Sequence, residues 1–307
     1  MYLTGFADEA SQDLDLQIQA TKALGWNAIE SRNIDGKNIH DISEDAFDIA
    51  CKKLEDANVY VSCFGSAIAN WAKSVHDPFD ITLAEVERAI PRMKRLGTKL
   101  VRIMSYKREE GTEQHAEERF ARLRDIVNMF VEHDLVPVHE NCMNYGGMSW
   151  RHSLELINNV PDLKLIYDTG NSPFMKDYAN GADVWQNGWD FYNEIKSHVA
   201  YIHIKDTLNP KPGEKEVYTM PGEGQGYVKE ILRDLQASNY SGGISIEPHL
   251  AAIFHDPSAL NTPNDKSYDL YLEYGQKLMT ILQDMAFIHS PYSPSLEVNT
   301  LGAQSSK

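Results

Sequence analysis

Cysteine is scarce: Cys51, Cys63 and Cys142 are the three in 307 residues. Their odd number and wide spacing exclude a disulfide framework or a cysteine-based metal finger and suit a reducing compartment. Basic side chains are also few, 29 Lys and Arg against 45 Asp and Glu, for a formal net charge of −16. A surface of that sign repels phosphate backbones. No run of basic residues builds a local groove either, so nucleic acid is not an expected partner. Nowhere do the ~18 consecutive apolar residues of a membrane span occur. The opening Met1-Tyr2-Leu3-Thr4-Gly5-Phe6 runs into Asp8 and Glu9 without the basic start and long apolar run of a signal peptide. The expected location is the cytoplasm. With 42% hydrophobic and 10% aromatic residues there is apolar surface enough to offset chain entropy, which excludes a disordered chain.

Short apolar runs alternate with longer amphipathic ones about eight times. The strand-like runs are 2–6, 27–31, 59–64, 100–105, 136–140, 164–168, 200–205 and 243–247, apolar along most of their length as strands buried on both faces are. Between them, Leu14, Ile18, Thr21 and Leu24 fall on one helical stripe, with Ser11 as N-cap and Asp13 in the first turn. Phe120, Leu123, Val127 and Phe130 form another, as do Val228, Ile231, Leu232 and Leu235. Gly25, Asn58 and Gly97 stand where helices end shortly before strands. Pro91 is expected to interrupt its helix before Gly97 and to kink it. Eight β-α units point to a single (β/α)8 barrel. The rival, an open doubly wound sheet, needs a glycine-rich phosphate turn after the first strand, and Ala7-Asp8-Glu9-Ala10 is acidic and lacks glycine. Residues 1–287 are assigned to the barrel and 288–307, rich in Ser and Pro at the start, to an irregular extension lying on the surface or on a partner.

In such a barrel the chemistry sits at the C-terminal strand ends. Four successive ends carry Glu140, Asp168, His203 and Glu247. Parallel strands lie ~4.8 Å apart, so these side chains can surround one ion. Three converging carboxylates without a cation would repel one another and raise their pKa values. Three oxygen ligands and one imidazole suit a divalent ion, manganese first, with magnesium, cobalt and zinc as alternatives.

The segments His139-Glu140-Asn141, Tyr167-Asp168-Thr169-Gly170-Asn171, His203-Ile204-Lys205-Asp206, Pro221-Gly222-Glu223-Gly224 and Ser245-Ile246-Glu247-Pro248-His249 resemble the sugar phosphate isomerase/epimerase superfamily, the xylose isomerase-like TIM barrels, over roughly residues 1–285. The resemblance implies that Glu140, Asp168, His203 and Glu247 are the metal ligands. It also implies that Glu140 and Glu247 are an acid/base pair on opposite faces of the substrate carbon, acting through a metal-stabilised enediolate. Asn171 stands where the epimerase pattern often has a substrate-contacting histidine, and Asn209 where an arginine is common. A histidine at the position of Asn171 also belongs to the trinuclear zinc site of the endonuclease branch, which the acidic charge disfavours as well.

Further substrate contacts are expected from Arg32, Trp71, His139, Asn171 and Lys205. Arg32 is equally readable as a salt-bridged rim residue and Trp71 as packing. Strand alternation turns His139 away from the metal unless the strand bends, whereas Lys205, two residues after His203, shares its face. Gly222-Glu223-Gly224-Gln225-Gly226 is read as the turn before the seventh helix, not a nucleotide loop, because no strand runs into it and Glu223 would repel phosphate. The expectation is a divalent-metal-dependent isomerase or epimerase of a sugar or related polyhydroxy carbonyl compound. A lyase or dehydratase on the same site is the alternative, and a non-catalytic sugar-binding barrel the alternative of another class. A homo-oligomer is in keeping with this group of barrels.

Overall fold

The computed structural model describes residues 1–181, 183–211, 214–251 and 264–304. Eight strands form one sheet: β1 (Tyr2–Gly5), β2 (Ala28–Ser31), β3 (Tyr60–Phe64), β4 (Leu100–Ile103), β5 (Val136–Glu140), β6 (Lys164–Asp168), β7 (Val199–Ile204) and β8 (Gly243–Ile246). Their order around the sheet is β1-β8-β7-β6-β5-β4-β3-β2, every paired neighbour parallel. A parallel bridge from Phe6 to Glu30 lies across the remaining seam, between β1 and β2. The architecture is the single (β/α)8 barrel expected, with each strand within two residues of its apolar run.

Helices α1 (Leu14–Ala23), α2 (Glu44–Ala57), α3 (Phe79–Leu96), α4 (Ala116–Val131), α5 (Trp150–Asn159), α6 (Gly188–Ile195), α7 (Val228–Ala237) and α8 (Asn264–Asp284) follow the strands in turn. Their apolar stripes face the sheet, and all four stripe residues of α4 and of α7 are buried. Asn58 and Gly97 take left-handed backbone angles at helix C-caps, as their sequence positions suggested. Two local expectations are corrected. The N-cap of α1 is Asp13, whose carboxylate accepts the N–H groups of Asp15 and Leu16, while Ser11 instead accepts the N–H of Asp13. Residues 79–96 form one continuous helix through Pro91, so this proline does not interrupt it.

The two ends of the barrel differ. Toward the N-terminal strand ends the interior is filled by Tyr2, Ala28, Cys63, Leu100, Val138, Ile166, Ala200 and Tyr201. Tyr292, from the chain's last segment, joins this cluster, edge-on to Tyr2 at 4.8 Å. Asn27 fixes it there: its side chain donates to the Tyr292 carbonyl and accepts from the Tyr292 N–H. Lys164 donates to the Val298 carbonyl, and Leu301 is buried in a final helical turn, α9 (Leu301–Gln304). The extension therefore lies across the N-terminal end of its own barrel. Toward the C-terminal ends, Asp206 accepts the N–H groups of Gly222, Gly224 and Gly226 at 2.8–2.9 Å. A Cβ on Gly224 would lie 2.4 Å from that carboxylate, so the glycine-rich segment is a turn wrapped around a buried acid ahead of α7. Among the described residues no helix is long and apolar enough to cross a membrane.

Candidate metal centre and its cavity

Glu140, Asp168 and His203 come from the last two residues of β5, β6 and β7, and Glu247 follows β8 directly. All four are buried, and each offers one ligand atom within 4.8 Å of the others. Local structure aims them. The Asp168 Oδ1 atom accepts the N–H groups of Gly170 and Asn171 at 2.8 and 3.0 Å, leaving Oδ2 with no hydrogen bond and turned toward the cluster. Asn141 clamps the end of β6 from β5, accepting the Asp168 N–H and donating to its carbonyl. His203 directs Nδ1 at Glu140 (3.3 Å) and Asp168 (3.9 Å).

Three buried cations compensate part of this charge. Arg102 meets Glu140 Oε2 at 2.9 Å, and Arg32 meets Glu247 Oε1 at 2.8 Å. Lys205 lies between Asp168 at 3.0 Å and Glu247 at 2.9 Å, so it does share the face of His203. The guanidinium groups of Arg32 and Arg102 both rest on the ring of Phe6, 4.3 and 4.9 Å from its centre. Burial alone would raise the Glu140 carboxyl, but Arg102 and His203 hold it down at about 2. Glu247 is likewise kept well below the usual range, against burial, by Lys205, His249 and Arg32. Asp168 goes the other way: burial lifts it to about 8, with Glu247 and Glu140 adding to the rise that Lys205 opposes. Burial favours neutral His203, yet Glu30 and Glu140 raise it to about 10.

The donor set fits a divalent ion. Asp8, Glu9, Glu30, Glu140, Asp168 and Glu247 are buried together with Arg32, Arg102 and Lys205, and acids remain in excess even with His203 charged. An acid as hard to ionise as Asp168 marks a site with charge still to be neutralised. Three carboxylates and an imidazole are the ligands such an ion takes. A second group, Glu9, Glu247 and His249, is within ligand distance too. Arg32 already bridges its carboxylates, at 3.3 Å to Glu9 as well as to Glu247 and to Asp8.

Above the cluster opens a cavity of about 200 Å³. Of the residues expected to meet substrate, Arg32, Trp71, Asn171 and Lys205 line it beside Glu140 and Glu247. Arg32 is also the salt-bridged residue its alternative reading described. His139 is not brought to the cavity: strand alternation turns it outward, where Nε2 meets the Ser105 hydroxyl at 2.9 Å beneath Gly146. Sequence reasoning missed Arg102, although a lone arginine inside the apolar run of β4 was a visible signal. Asn33, Asn38, Asn70 and Phe174 also line the cavity and carried no pattern.

Residues 18–268 match the family of xylose isomerase-like TIM barrels. No curated protein matches the chain in sequence. Among solved structures it is similar to the IolI protein with a bound zinc atom, at a TM-score of 0.68 and 14% identity, covering 92% of this chain and 99% of that one. The probable 3-DHS dehydratase AsbF of Bacillus anthracis gives a TM-score of 0.65 at 15% identity over 91% and 99% of the two chains. A D-tagatose 3-epimerase-like protein gives 0.63 at 17% identity over 93% and 100%. At such identities the likeness is one of fold.

Proposed function

Because the chain belongs to the xylose isomerase-like TIM barrel family, we propose that it is a divalent-metal-dependent isomerase or epimerase of a sugar or related polyhydroxy carbonyl compound. The observation that carries this reading is the convergence of Glu140, Asp168, His203 and Glu247 beneath a cavity large enough for a small polyol. The ion, manganese by preference, would be held by those four side chains and supply the positive charge that acidifies a C–H beside a carbonyl. Glu140 and Glu247 each bring a carboxylate oxygen to the cluster. One takes the proton from the substrate carbon and the other returns it, on the same carbon for an epimerase or its neighbour for an isomerase. Lys205 donates to a substrate oxygen that gains charge as the proton leaves. Asn171 and Arg32 hold hydroxyls, and Trp71 covers a sugar face.

A dehydratase on the same site is the second reading. Arg102 and Arg32 bind one oxygen of each glutamate and keep both ionised. Two ionised glutamates suit proton removal better than proton return. The enediolate would then expel a β-hydroxyl, with Lys205 as the nearest ammonium to protonate it; AsbF, one of the structural neighbours, is itself a probable dehydratase.

Solvent-deuterium exchange separates these readings. With the chain loaded with manganese, ketoses and inosose-like compounds should take up deuterium at the carbon beside the carbonyl and return as epimer or isomer. Loss of water with formation of an unsaturated product would favour the dehydratase. Metal binding without exchange or elimination in any such compound would leave only a sugar-binding barrel.

A further inference from the structure

Glu30 is a fully buried acid of the site and takes no part in the chemistry described above. It lies on β2, where Ala28 and Glu30 face the barrel interior and Ile29 the helices. The register between β2 and β3 slips between Ile29 and Glu30, and Ser62 is left without a partner. The extra residue of that slip stands on β3, and Glu30 keeps the alternation of its own strand. Its carboxylate has 0% exposure, does not line the cavity and so reaches no substrate. A buried carboxylate is costly unless a cation answers it.

Its ion-pair contact, among the described residues, is Nε2 of His203 at 3.0 Å; neither Glu30 oxygen has a conventional hydrogen bond. His203 is thus held from two sides. Nε2 faces Glu30, below the cavity, while Nδ1 faces Glu140 and Asp168, where the ion belongs. The edges of Phe6 and Tyr201, at 5.0 and 5.7 Å between ring centres, leave the imidazole little freedom to turn over. An imidazole with an acceptor at Nε2 carries its proton there, which frees the Nδ1 lone pair for a metal.

We infer that Glu30 is a positioning residue of the metal centre: it holds the proton of His203 on Nε2 and turns Nδ1 to the ion. The inference rests on the metal-dependent reading above, and its test is metal affinity, which needs no substrate. Zinc titrated against a chromophoric chelator at one pH should bind Glu30→Gln about 10- to 100-fold more weakly than the unaltered chain. The metal-free variant should unfold at a similar temperature.

A residue that acts only through His203 makes no further difference once His203 is gone. In a His203→Gln background, Glu30→Gln should therefore change zinc affinity by less than twofold. An equal loss in both backgrounds, or affinity kept within twofold in the single variant, would overturn the inference while leaving the metal site standing. An unaltered chain that binds no zinc would instead remove the metal reading, and the inference with it. Should Glu30→Gln not fold, the unaltered chain carries the test. Labelled with 15N-histidine and loaded with 113Cd, it should show cadmium coupling at Nδ1 of His203 and a proton on Nε2. Coupling at Nε2 would overturn the assignment.

Discussion

The two ends of this barrel are made by the same eight strands and hold opposite kinds of interior. At the C-terminal end, carboxylates, two guanidinium groups and an ammonium are buried around the ring of Phe6. At the N-terminal end, tyrosines and aliphatic side chains close the interior, with Thr4, Ser62 and Tyr201 satisfying one another's hydroxyls. The first arrangement costs stability and makes a site; the second has no charge and offsets that cost by packing. In parallel strands all C-terminal ends point one way, so side chains needed for chemistry gather at one end and leave the other free for packing.

Substitutions at the two ends should be told apart by catalysis and metal affinity. The largest effect is expected on catalysis. Glu140→Gln and Glu247→Gln should each lower solvent-deuterium exchange by about 10³-fold, within the range for removing a positioned acid or base. Because each carboxylate is paired with a buried guanidinium, Arg102 or Arg32, the metal-free variants should also unfold earlier than the parent, so exchange is compared on chains shown to be folded. Exchange left undiminished in both would end the two-glutamate mechanism. At the other end, Tyr292→Ala should cost about 3 kcal/mol of unfolding free energy, the order for emptying a buried aromatic site. Its zinc affinity should match the parent's. A Tyr292→Ala chain that is as stable as the parent would mean that the last segment does not hold the barrel end closed.

Metal removal sharpens the contrast. An ion that binds only the folded chain stabilises it by roughly 3 kcal/mol when present at a hundred times its dissociation constant. Chelation should therefore lower the thermal midpoint of the parent and of Tyr292→Ala alike, and leave His203→Ala where it was. An equal drop in His203→Ala would place the ion elsewhere.

How much of this was legible depended on whether a residue's neighbours in sequence announced it. The strands were visible because burial on both faces writes continuous apolar runs, and the four candidate metal ligands because each stands at the end of such a run. C-caps at Asn58 and Gly97 were visible because few residues tolerate left-handed backbone angles. Pairings across the barrel were not. That Glu30 would meet His203, or Arg102 Glu140, depends on how strands far apart in sequence are set around a closed sheet. The position of the extension was invisible for the same reason: Asn27 holds Tyr292 across most of the chain's length. For Ser11 and Asp13, two good caps stood two residues apart, and the sequence could not choose between them.

The smallest expected effect concerns the wall of the cavity. His40 is buried behind the cavity, where its Nε2 accepts the Ala67 N–H while Asp41 lies 3.6 Å from Nδ1. Burial pushes it down to about 4; Lys73, Arg88 and Arg92 push the same way, and Asp41 opposes them. An unfolded chain protonates the same histidine near pH 6.5. Between these values the unfolded state binds more protons, so the contribution is complete above about pH 6.5 and is lost as the pH falls toward 4. Its size is at most about 3 kcal/mol, less where the loop opens to water on protonation. Asn38 and Ala67 line the cavity and flank this histidine, so acid should loosen the site's wall before it disturbs the apolar end. Urea unfolding of the parent and of His40→Gln at pH 7.5 and 4.5 tests this. The parent should lose more stability than the variant over that interval, and parallel losses would mean that His40 titrates normally in the folded chain.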